Sequence, residues 1–386
     1  MPSYLDNYIE RRCTDSIKWT QYDEDVLPMW VADMDFAAPP AVLEALHERV
    51  SHGVFGYAVE PPELRDVIVA RLAERHGWQV APDDLVFMPG VVVGFNLAAQ
   101  AVGKPGEGML LQTPVYYPMI ETPRYADMTL DPMTLTRGAD GRYTVDLDLM
   151  ERTITKRTRM FLLCNPHNPV GRAFTRQELA DMAELCLGHG LVICSDEIHC
   201  DLTYADHTHT PIAALDDEIA QRTTTLMAPS KAFNIAGIKF SFAVIQNPEL
   251  RRAFKAAFRG IVPSVSVLAY AAGLAAYRDG DPWLDETLAY LQANRDHLCE
   301  RVNTELPGIR MACPDATYLA WLDCRDAALP GGPYRFFLEH ARVALSDGAP
   351  FGPGGEGFVR LNFGCCHQLL DEALDRMGAA LAAHVP

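Results

Sequence analysis

The feature that most constrains the fold of this chain is a series of short apolar runs, each followed by a turn and a longer amphipathic segment. The runs lie at residues 85–88, 109–111, 160–164, 191–194, 225–227 and 240–245. Unbroken apolar strands that alternate with helices are typical of a mainly parallel sheet covered on both faces. The sequence therefore predicts an α/β fold in which helices enclose such a sheet.

The pattern changes after Tyr277, which indicates a second domain. The elements predicted beyond it are a long helix at 281–305, strands at 318–322 and 358–362, and a final helix at 369–383. With 386 residues, the chain is longer than one typical core requires. We expect a large domain at 46–280 and a smaller α+β domain that combines 1–45 with 281–386.

The charge and the cysteine pattern exclude several classes of protein. A net charge of −18 argues against nucleic acid or an anionic membrane surface as the main partner. Proline interrupts the longest uncharged stretches, 85–103 and 261–277, so neither offers the ~20 unbroken apolar residues of a membrane span. The ten cysteines form no CxxC pair, and the first ten residues contain no apolar signal segment. We expect a cytoplasmic protein in a reducing compartment.

Three polar side chains follow the apolar runs. Asn168, Asp196 and Lys231 each lie a few residues beyond the end of a predicted strand. Because ligands bind at the carboxyl ends of parallel strands, we expect these side chains to lie close together at one sheet edge. Taken singly, each has an ordinary alternative: the asparagine of a common Asn-Pro turn, an acid that caps a turn, and a solvated loop lysine.

An amine, a carboxylate and an amide at one sheet edge are the groups that hold pyridoxal phosphate (PLP). Lys231 would bind the cofactor covalently, and desolvation beside other cations would lower its pKa toward the useful range. Asp196 would keep the pyridine nitrogen protonated, and Asn168 would donate to the phenolate oxygen. Together, the three residues predict PLP as the cofactor.

The neighbouring sequence offers donors for the cofactor phosphate. Ser230 adjoins the lysine, and Lys239 follows the lysine by eight residues. The backbone amides of Val91 and Val92 open a predicted helix, whose N-terminus favours an anion. These four residues are the predicted phosphate site.

Tyr116 and Arg360 complete the predicted site. Tyr116 follows Thr113-Pro114 and would lie flat on the pyridine ring, with a half-buried loop aromatic as the alternative. Arg360 lies inside an apolar run, where a guanidinium must find an anion or lie at an edge. A bidentate clamp on a substrate α-carboxylate fits this position.

Four motifs resemble the class I and II aminotransferase-like enzymes of PLP fold type I. They are Asn-Pro-His-Asn-Pro-Val-Gly at 165–171, Ser-Asp-Glu at 195–197, Ser-Lys at 230–231 and Arg-Leu-Asn-Phe at 360–363. The likeness covers nearly the whole chain and implies a large domain with the seven-stranded type of mainly parallel sheet. It gives the family's roles to Lys231, Asp196, Asn168, Tyr116, Ser230, Lys239 and Arg360.

Three segments are similar to the cysteine-S-conjugate β-lyase branch of that family, which includes cystathionine β-lyases. They are Met-Trp-Val-Ala-Asp-Met-Asp-Phe at 29–36, Ser-Asp-Glu-Ile-His at 195–199 and Phe-Gly-Pro-Gly-Gly-Glu-Gly at 351–357. The resemblance implies that Asp33 and Asn168 bind the substrate beside Arg360. It also implies that His199 binds the cofactor near the phenolate, where many aminotransferases have tyrosine. Tyr57 resembles a tyrosine that reaches the phosphate of the neighbouring subunit, which implies a homodimer with shared active sites.

The sequence departs from the family pattern at a few positions. Ala228 stands where many aminotransferases have a phosphate-binding serine, and residues 365–367 read Cys-Cys-His where C–S lyases often have Cys-Pro-Arg. Neither change removes a required group. The second one leaves the shape of the substrate site open.

Two patterns that suggest other ligands lack the context those ligands need. Residues 352–357 match the GxGxxG pattern of dinucleotide sites but lead into a predicted strand instead of a helix. Cys194, His199 and Cys200 lack the spacing of CxxC or HExxH metal sites. The sequence therefore predicts no dinucleotide site at 352–357 and no bound metal.

The resemblance implies a small amino acid as substrate and a C–S lyase as the activity. L-Cystathionine or another cysteine S-conjugate would undergo α,β-elimination to a thiol, pyruvate and ammonia. Lys231 would remove the Cα proton, with Asp196 and Tyr116 as catalytic neighbours. Alternatives are an aminotransferase acting on an L-amino acid, and a natural-product biosynthetic enzyme that eliminates from or decarboxylates a bulky S-cysteine conjugate. A binding or regulatory protein that kept the fold and the cofactor is a further alternative.

Overall fold

The structure is a computed structural model and describes residues 4–384. The strands are β1 (Leu27–Pro28), β2 (Leu85–Met88), β3 (Gly108–Thr113), β4 (Thr129–Thr134), β5 (Thr136–Arg137), β6 (Tyr143–Thr144), β7 (Thr158–Cys164), β8 (Val192–Asp196), β9 (Thr223–Met227), β10 (Ser241–Val244), β11 (Leu319–Asp323), β12 (Val343–Ala344), β13 (Ser346–Asp347) and β14 (Phe358–Asn362). The α-helices are α1 (Ile17–Thr20), α2 (Pro40–Ser51), α3 (Leu64–His76), α4 (Val91–Val102), α5 (Tyr117–Tyr125), α6 (Leu147–Thr153), α7 (Arg176–Gly188), α8 (Asp217–Ala220), α9 (Pro248–Ala257), α10 (Val267–Asp279), α11 (Asp281–Glu305), α12 (Pro333–Phe336) and α13 (His367–His384).

Seven strands form the central sheet, in the order β2-β10-β9-β8-β7-β3-β4. All neighbours pair in parallel except β10, which is antiparallel to both β2 and β9. The segment between β9 and β10 consists of the turn that carries Lys231 and one short 3₁₀ helix. Parallel neighbours need a longer crossover connection, usually an α-helix, which this segment does not contain. Strand β10 therefore runs antiparallel to β9. The predicted α/β fold with a mainly parallel sheet is confirmed.

Both faces of the sheet are buried. Along β7, Met160 and Leu162 join one apolar cluster, whereas Phe161 and Leu163 join another on the opposite face. All four side chains are fully buried. The unbroken apolar runs of the sequence are explained by this double burial, because a half-exposed strand would alternate apolar and polar residues.

The C-terminal part contains a second, antiparallel sheet in the order β11-β14-β13. Helix α11 and strand β14 have the predicted bounds, and β11 lies one residue later than predicted. The N-terminal β1 pairs in parallel with β12 of this part. The division into domains at 46–280 and at 1–45 with 281–386 stays a prediction, and its terminal residues 1–3 and 385–386 lie outside the described residues.

The C-terminal part also contains the predicted strand after residues 352–357 and a disulfide. Residues 352–357 lead into β14, as predicted, and not into a helix. Cys299 and Cys313 are joined by a disulfide with a Cα–Cα distance of 5.8 Å, which the sequence analysis did not predict because no motif pairs the two cysteines. Within residues 4–384, no helix is both long enough and apolar enough to cross a membrane.

Candidate active site

A cavity of about 420 Å³ opens at the carboxyl ends of the parallel strands. Strands β7, β8 and β9 are neighbours in the sheet, so the residues that follow them meet at this edge. The predicted site residues that line the cavity are Val91, Val92, Tyr116, Asn168, Asp196, His199, Ser230, Lys231, Lys239 and Arg360. The structure thus brings together residues that are up to 269 positions apart in the sequence (360 − 91).

The amine of Lys231 projects into the cavity from the turn after β9. Its Nζ donates a hydrogen bond to the carbonyl oxygen of Ala32 at 2.6 Å. Burial, and then the neighbouring charge of Arg360, lower the pKa of the amine from its ordinary value to about 8. A substantial fraction of the amine is therefore neutral near pH 7–8, as a nucleophile and a general base require.

Asp196 is the last residue of β8 and is only 4% exposed. Burial raises its pKa to about 7, while the backbone amide of Ile198, which donates to Oδ1 at 3.1 Å, acts in the opposite direction. The negative charge of Glu197 raises the pKa further, and Lys231 lowers it. A carboxylate in this position is stabilised by a nearby cation, such as a protonated pyridine nitrogen.

Arg360 lies on the central strand β14 and is buried. Its Nη1 donates to the side-chain oxygen of Asn168 at 2.9 Å, and its Nη2 donates to the carbonyl oxygen of Trp30 at 3.0 Å and to Ser346 Oγ at 3.3 Å. The Nε of Arg360 has no hydrogen-bond partner within the described residues. Burial lowers the pKa of the guanidinium to about 10. Its recorded hydrogen-bond partners are neutral, so the cavity holds a positive charge that a bound anion would compensate.

The predicted phosphate donors also line the cavity. Helix α4 begins at Val91, directly after Gly90 with φ 130°, and its first intrahelical donor is the amide of Gly94. The preceding amides of Val91 and Val92 therefore need acceptors outside the helix. Ser230 and Lys239 line the same cavity. A helix N-terminus beside a hydroxyl and an ammonium group is a suitable anion site.

Two ring side chains, Tyr116 and His199, also line the cavity. Burial raises the pKa of Tyr116 to about 12, so its phenol is neutral at physiological pH. His199 is 2% exposed, and burial together with the charges of Lys231 and Arg360 lowers its pKa to about 3. The His199 ring is therefore neutral, and its Nδ1 has no hydrogen-bond partner within the described residues.

The donor set fits PLP. A lysine amine, a buried carboxylate, an amide and a helix N-terminus match the aldehyde, pyridine nitrogen, phenolate and phosphate of the cofactor. Two buried nitrogens that have no partner among residues 4–384, His199 Nδ1 and Arg360 Nε, also belong to residues that line the cavity. Such atoms are costly to bury unless a ligand satisfies them.

Two predicted site residues, Asp33 and Tyr57, do not line the cavity. The Asp33 carboxylate accepts hydrogen bonds from Arg11 at 3.0 and 3.3 Å and lies 3.8 Å from the amine of Lys18. The preceding residues 30–32, not Asp33, line the cavity. Tyr57 is fully exposed in the segment between α2 and α3. The predicted roles of Asp33 and Tyr57 stay predictions.

Several groups that line the cavity were not predicted from the sequence. They are the backbone around Ala32 and the side chains of Trp30, Tyr117, Cys164, Ser346 and others. Tyr117 was recognisable as a second aromatic beside Tyr116, and Trp30 lies in the quoted motif at 29–36. Ser346 gave no signal, because a serine after a short apolar run is common on any strand. Its position depends on the pairing of β13 with β14.

One group of side chains within residues 4–384 has a spacing suited to a metal ion. Potential ligand atoms of His76, Cys200 and Asp201 lie within 4.8 Å of one another. The Asp201 carboxylate already pairs with Arg71 at 3.0 Å, and Arg75 lies 3.9 Å away. These guanidinium groups compensate the carboxylate and would repel a cation. The expectation that no metal is bound stays a prediction.

Comparisons with known proteins agree with this geometry. The family model described as aminotransferase class I and II matches residues 24–377. The chain is 42% identical to cystathionine beta-lyase PatB of Bacillus subtilis, over 98% of this chain and all of PatB. The crystal structure of OvoB has a TM-score of 0.94 at 45% identity and covers 98% of this chain and 99% of OvoB.

A further solved structure is similar over the whole length. The PLP-bound C–S lyase from Staphylococcus hominis has a TM-score of 0.93 at 30% identity, and the match covers 100% of both chains. The donor set of the cavity and these matches agree on the cofactor. The chain belongs to the class I and II aminotransferase family of PLP-dependent enzymes, in the branch that contains the cystathionine β-lyases and C–S lyases.

Proposed function

We propose that this protein is a PLP-dependent C–S β-lyase that cleaves L-cystathionine or another cysteine S-conjugate to a thiol, pyruvate and ammonia. The observation that carries the proposal is the buried guanidinium of Arg360, which has no acidic partner among residues 4–384 and lies in the same cavity as the Lys231 amine. This pair suits an α-amino acid, because the guanidinium can bind the carboxylate while the lysine acts at Cα. The likeness to PatB over the full chain supports the lyase reaction.

When bound, PLP supplies a ring that accepts the electrons released from the substrate Cα–H bond. Asp196 would compensate the protonated nitrogen of that ring, and Asn168 would donate to its phenolate oxygen. Ser230, Lys239 and the N-terminus of α4 would hold the phosphate, and Tyr116 would pack against the ring. His199 stays neutral and offers its unpartnered Nδ1 to the same region.

Lys231 performs the proton transfer. With a pKa near 8, its amine accepts the Cα proton without a large energetic penalty at neutral pH. Arg360 would bind the substrate carboxylate and so orient the Cα–H bond toward the Lys231 amine. Departure of the Cβ sulfur as a thiolate, protonation of the thiolate and hydrolysis of the remaining three-carbon unit give the thiol, pyruvate and ammonia. The aromatic side chains of Trp30 and Tyr117 line the same cavity.

The alternative aminotransferase reaction would use the same residues. Sequence identity favours the lyase, because the chain is 25% identical to an aspartate aminotransferase of Pyrococcus abyssi but 42% identical to PatB. Incubation with L-alanine, which has no leaving group at Cβ, separates the two reactions. A lyase leaves the bound cofactor unchanged, whereas an aminotransferase converts it to pyridoxamine phosphate.

We also infer a homodimer in which each subunit completes the other's active site. Residues 54–59 include exposed apolar side chains, with Phe55 at 55%, Val59 at 87% and Tyr57 at 103% exposure. Exposed apolar side chains in one short segment favour a protein–protein contact. In that dimer, Tyr57 donates to the cofactor phosphate of the partner subunit.

The lyase proposal is tested with purified, PLP-loaded protein. L-Cystathionine and S-methyl-L-cysteine should each be assayed for pyruvate, by coupling to lactate dehydrogenase, and for free thiol. We expect both products in equal amounts, and their loss in Lys231→Ala. Mass spectrometry of the product mixture also detects loss of carbon dioxide. Absence of pyruvate with a panel of S-substituted cysteines would refute the proposal.

A further inference from the structure

A second, fully buried carboxylate lies directly after Asp196. The Glu197 side chain is 0% exposed and points away from the cavity, which it does not line. Its Oε1 accepts hydrogen bonds from Ser195 Oγ at 2.8 Å and from the backbone amide of Ile212 at 3.2 Å. Two neutral donors satisfy the geometry of one oxygen but do not compensate a buried negative charge.

The compensating group is His209. Its Nε2 lies 2.8 Å from Glu197 Oε2, and the His209 side chain is 2% exposed. A buried carboxylate and an imidazole at this distance form an ion pair when the imidazole is protonated. The other titratable group that faces His209 is His76, whose ring centroid lies 5.4 Å away.

His76 adds no positive charge beside His209. Burial, and next the charge of His209, lower the pKa of His76 to about 4, so His76 is neutral at physiological pH. Beyond His76, Asp201 pairs with Arg71 at 3.0 Å and lies 3.9 Å from Arg75. This outer carboxylate therefore has its own cations and does not compete with Glu197 for His209.

We propose that the buried His209–Glu197 pair is a positioning element that favours the ionised form of Asp196 and thereby strengthens PLP binding. Glu197 anchors the end of β8 through Ser195 and Ile212, but its charge alone would oppose ionisation of the adjacent Asp196. His209, at 2.8 Å from Glu197, offsets part of that charge. The structure thus obtains the anchoring hydrogen bonds of Glu197 at a smaller electrostatic cost to Asp196.

This inference rests on the proposed role of Asp196 toward the cofactor and not on the lyase reaction. The test therefore measures PLP affinity of the apo-protein, by quenching of tryptophan fluorescence, without any turnover. A failed pyruvate assay together with intact PLP binding would refute the lyase proposal alone. The matched control is His189→Gln, which changes an exposed histidine at the end of α7.

Three variants test whether the charge of Glu197, and not the shape of its side chain, affects PLP affinity. His209→Gln leaves Glu197 uncompensated, so we expect PLP affinity at neutral pH to fall by up to about tenfold, the effect of a one-unit rise in the Asp196 pKa. Glu197→Gln removes the charge but keeps the acceptor for Ser195, so we expect affinity equal to or above that of the native protein. The double variant should restore the affinity lost in His209→Gln.

The pH dependence gives a second readout. PLP affinity should decrease as the pH falls and Asp196 takes up its proton, with the midpoint moved to higher pH in His209→Gln and to lower pH in Glu197→Gln. Native affinity in His209→Gln would overturn the proposal, as would a double variant as weak as His209→Gln. If His209→Gln does not fold, Glu197→Gln decides alone, and an unchanged midpoint overturns the proposal.

Discussion

Arg360 donates from Nη1 to the side-chain oxygen of Asn168 at 2.9 Å, although the two residues are 192 positions apart in the sequence. The contact joins β14 to the turn after β7. Because the Asn168 oxygen accepts from Arg360, the amide NH₂ of Asn168 is the group left to donate elsewhere. One hydrogen bond therefore orients both the proposed clamp of the substrate carboxylate and the proposed donor to the cofactor phenolate.

Replacement of Arg360 by lysine should weaken substrate binding. Lysine keeps the charge but loses the planar fork that reaches Asn168, Trp30 and the substrate together. We expect KM to rise and kcat/KM to fall by at least about tenfold, equivalent to about 1.4 kcal/mol. Steady-state pyruvate release gives both constants. An unchanged KM would contradict the assignment, and PLP affinity serves as the control for the cofactor side of the site.

The apo-protein should bind PLP covalently at a rate that depends on the ionisation of Lys231. Burial and the charge of Arg360 lower the pKa of the amine to about 8, and only the neutral amine attacks the cofactor aldehyde. As the pH rises, the neutral fraction grows, so the rate should increase up to a pH of about 8 and then level off. Stopped-flow absorbance measures this rate. A rate that still rises near pH ~10, where an ordinary lysine titrates, would contradict the expectation.

Asp35 should contribute more to stability than its neighbour Asp33. Asp35 is 7% exposed and accepts hydrogen bonds from Lys18 at 2.6 Å, Arg11 at 2.6 Å and Trp19 at 2.8 Å. Asp35→Asn leaves the buried Lys18 amine without its closest carboxylate, and we expect a loss of about 3 kcal/mol in the free energy of unfolding.

Asp33→Asn is the matched control for Asp35→Asn. The Asp33 side chain is 23% exposed, and Lys18 keeps Asp35 in this variant, so we expect a loss of only about 1 kcal/mol. Urea denaturation of the apo-proteins measures both values, and equal losses would contradict the ranking. The KM of Asp33→Asn also tests the predicted role of Asp33 in substrate binding, because a direct contact would raise it.

Shared active sites can be tested by mixing two defective proteins. Lys231→Ala lacks the amine, and Tyr57→Ala lacks the proposed partner-subunit donor to the phosphate. In a mixed dimer, one site regains both Lys231 and Tyr57. Random exchange of subunits makes half of the dimers mixed, and one of the two sites in each mixed dimer is restored. The activity should therefore reach about one quarter of the native value. Activity no greater than the average of the two separate proteins would contradict a shared site.

The sequence predicted those parts of the site whose position depends on one strand and its end. Asp196 and Lys231 each follow an apolar run, so the parallel sheet was sufficient to place them at one edge. The antiparallel direction of β10 was not predicted, because an apolar run carries no information about strand direction.

Groups fixed by contacts between distant segments could not be predicted. The Ala32 carbonyl accepts from Lys231, but a backbone oxygen has no sequence signature. Asp33 lies in the predicted motif at 29–36, yet its side chain meets Arg11 and Lys18 because the N-terminal segment folds back over it. The pairing of Glu197 with His209 likewise joins residues without a common motif.

The carbonyl oxygen of Ala32 accepts from two donors at once, Lys231 Nζ at 2.6 Å and the Tyr318 hydroxyl at 2.9 Å. When the lysine leaves this oxygen to engage a ligand, Tyr318 still satisfies it, so no buried acceptor is abandoned. Asn362 independently holds the carbonyl of Asp33 at 2.7 Å. The cavity wall formed by residues 30–32 can therefore remain in place when Lys231 leaves the Ala32 carbonyl, and this exchange needs the movement of one side chain.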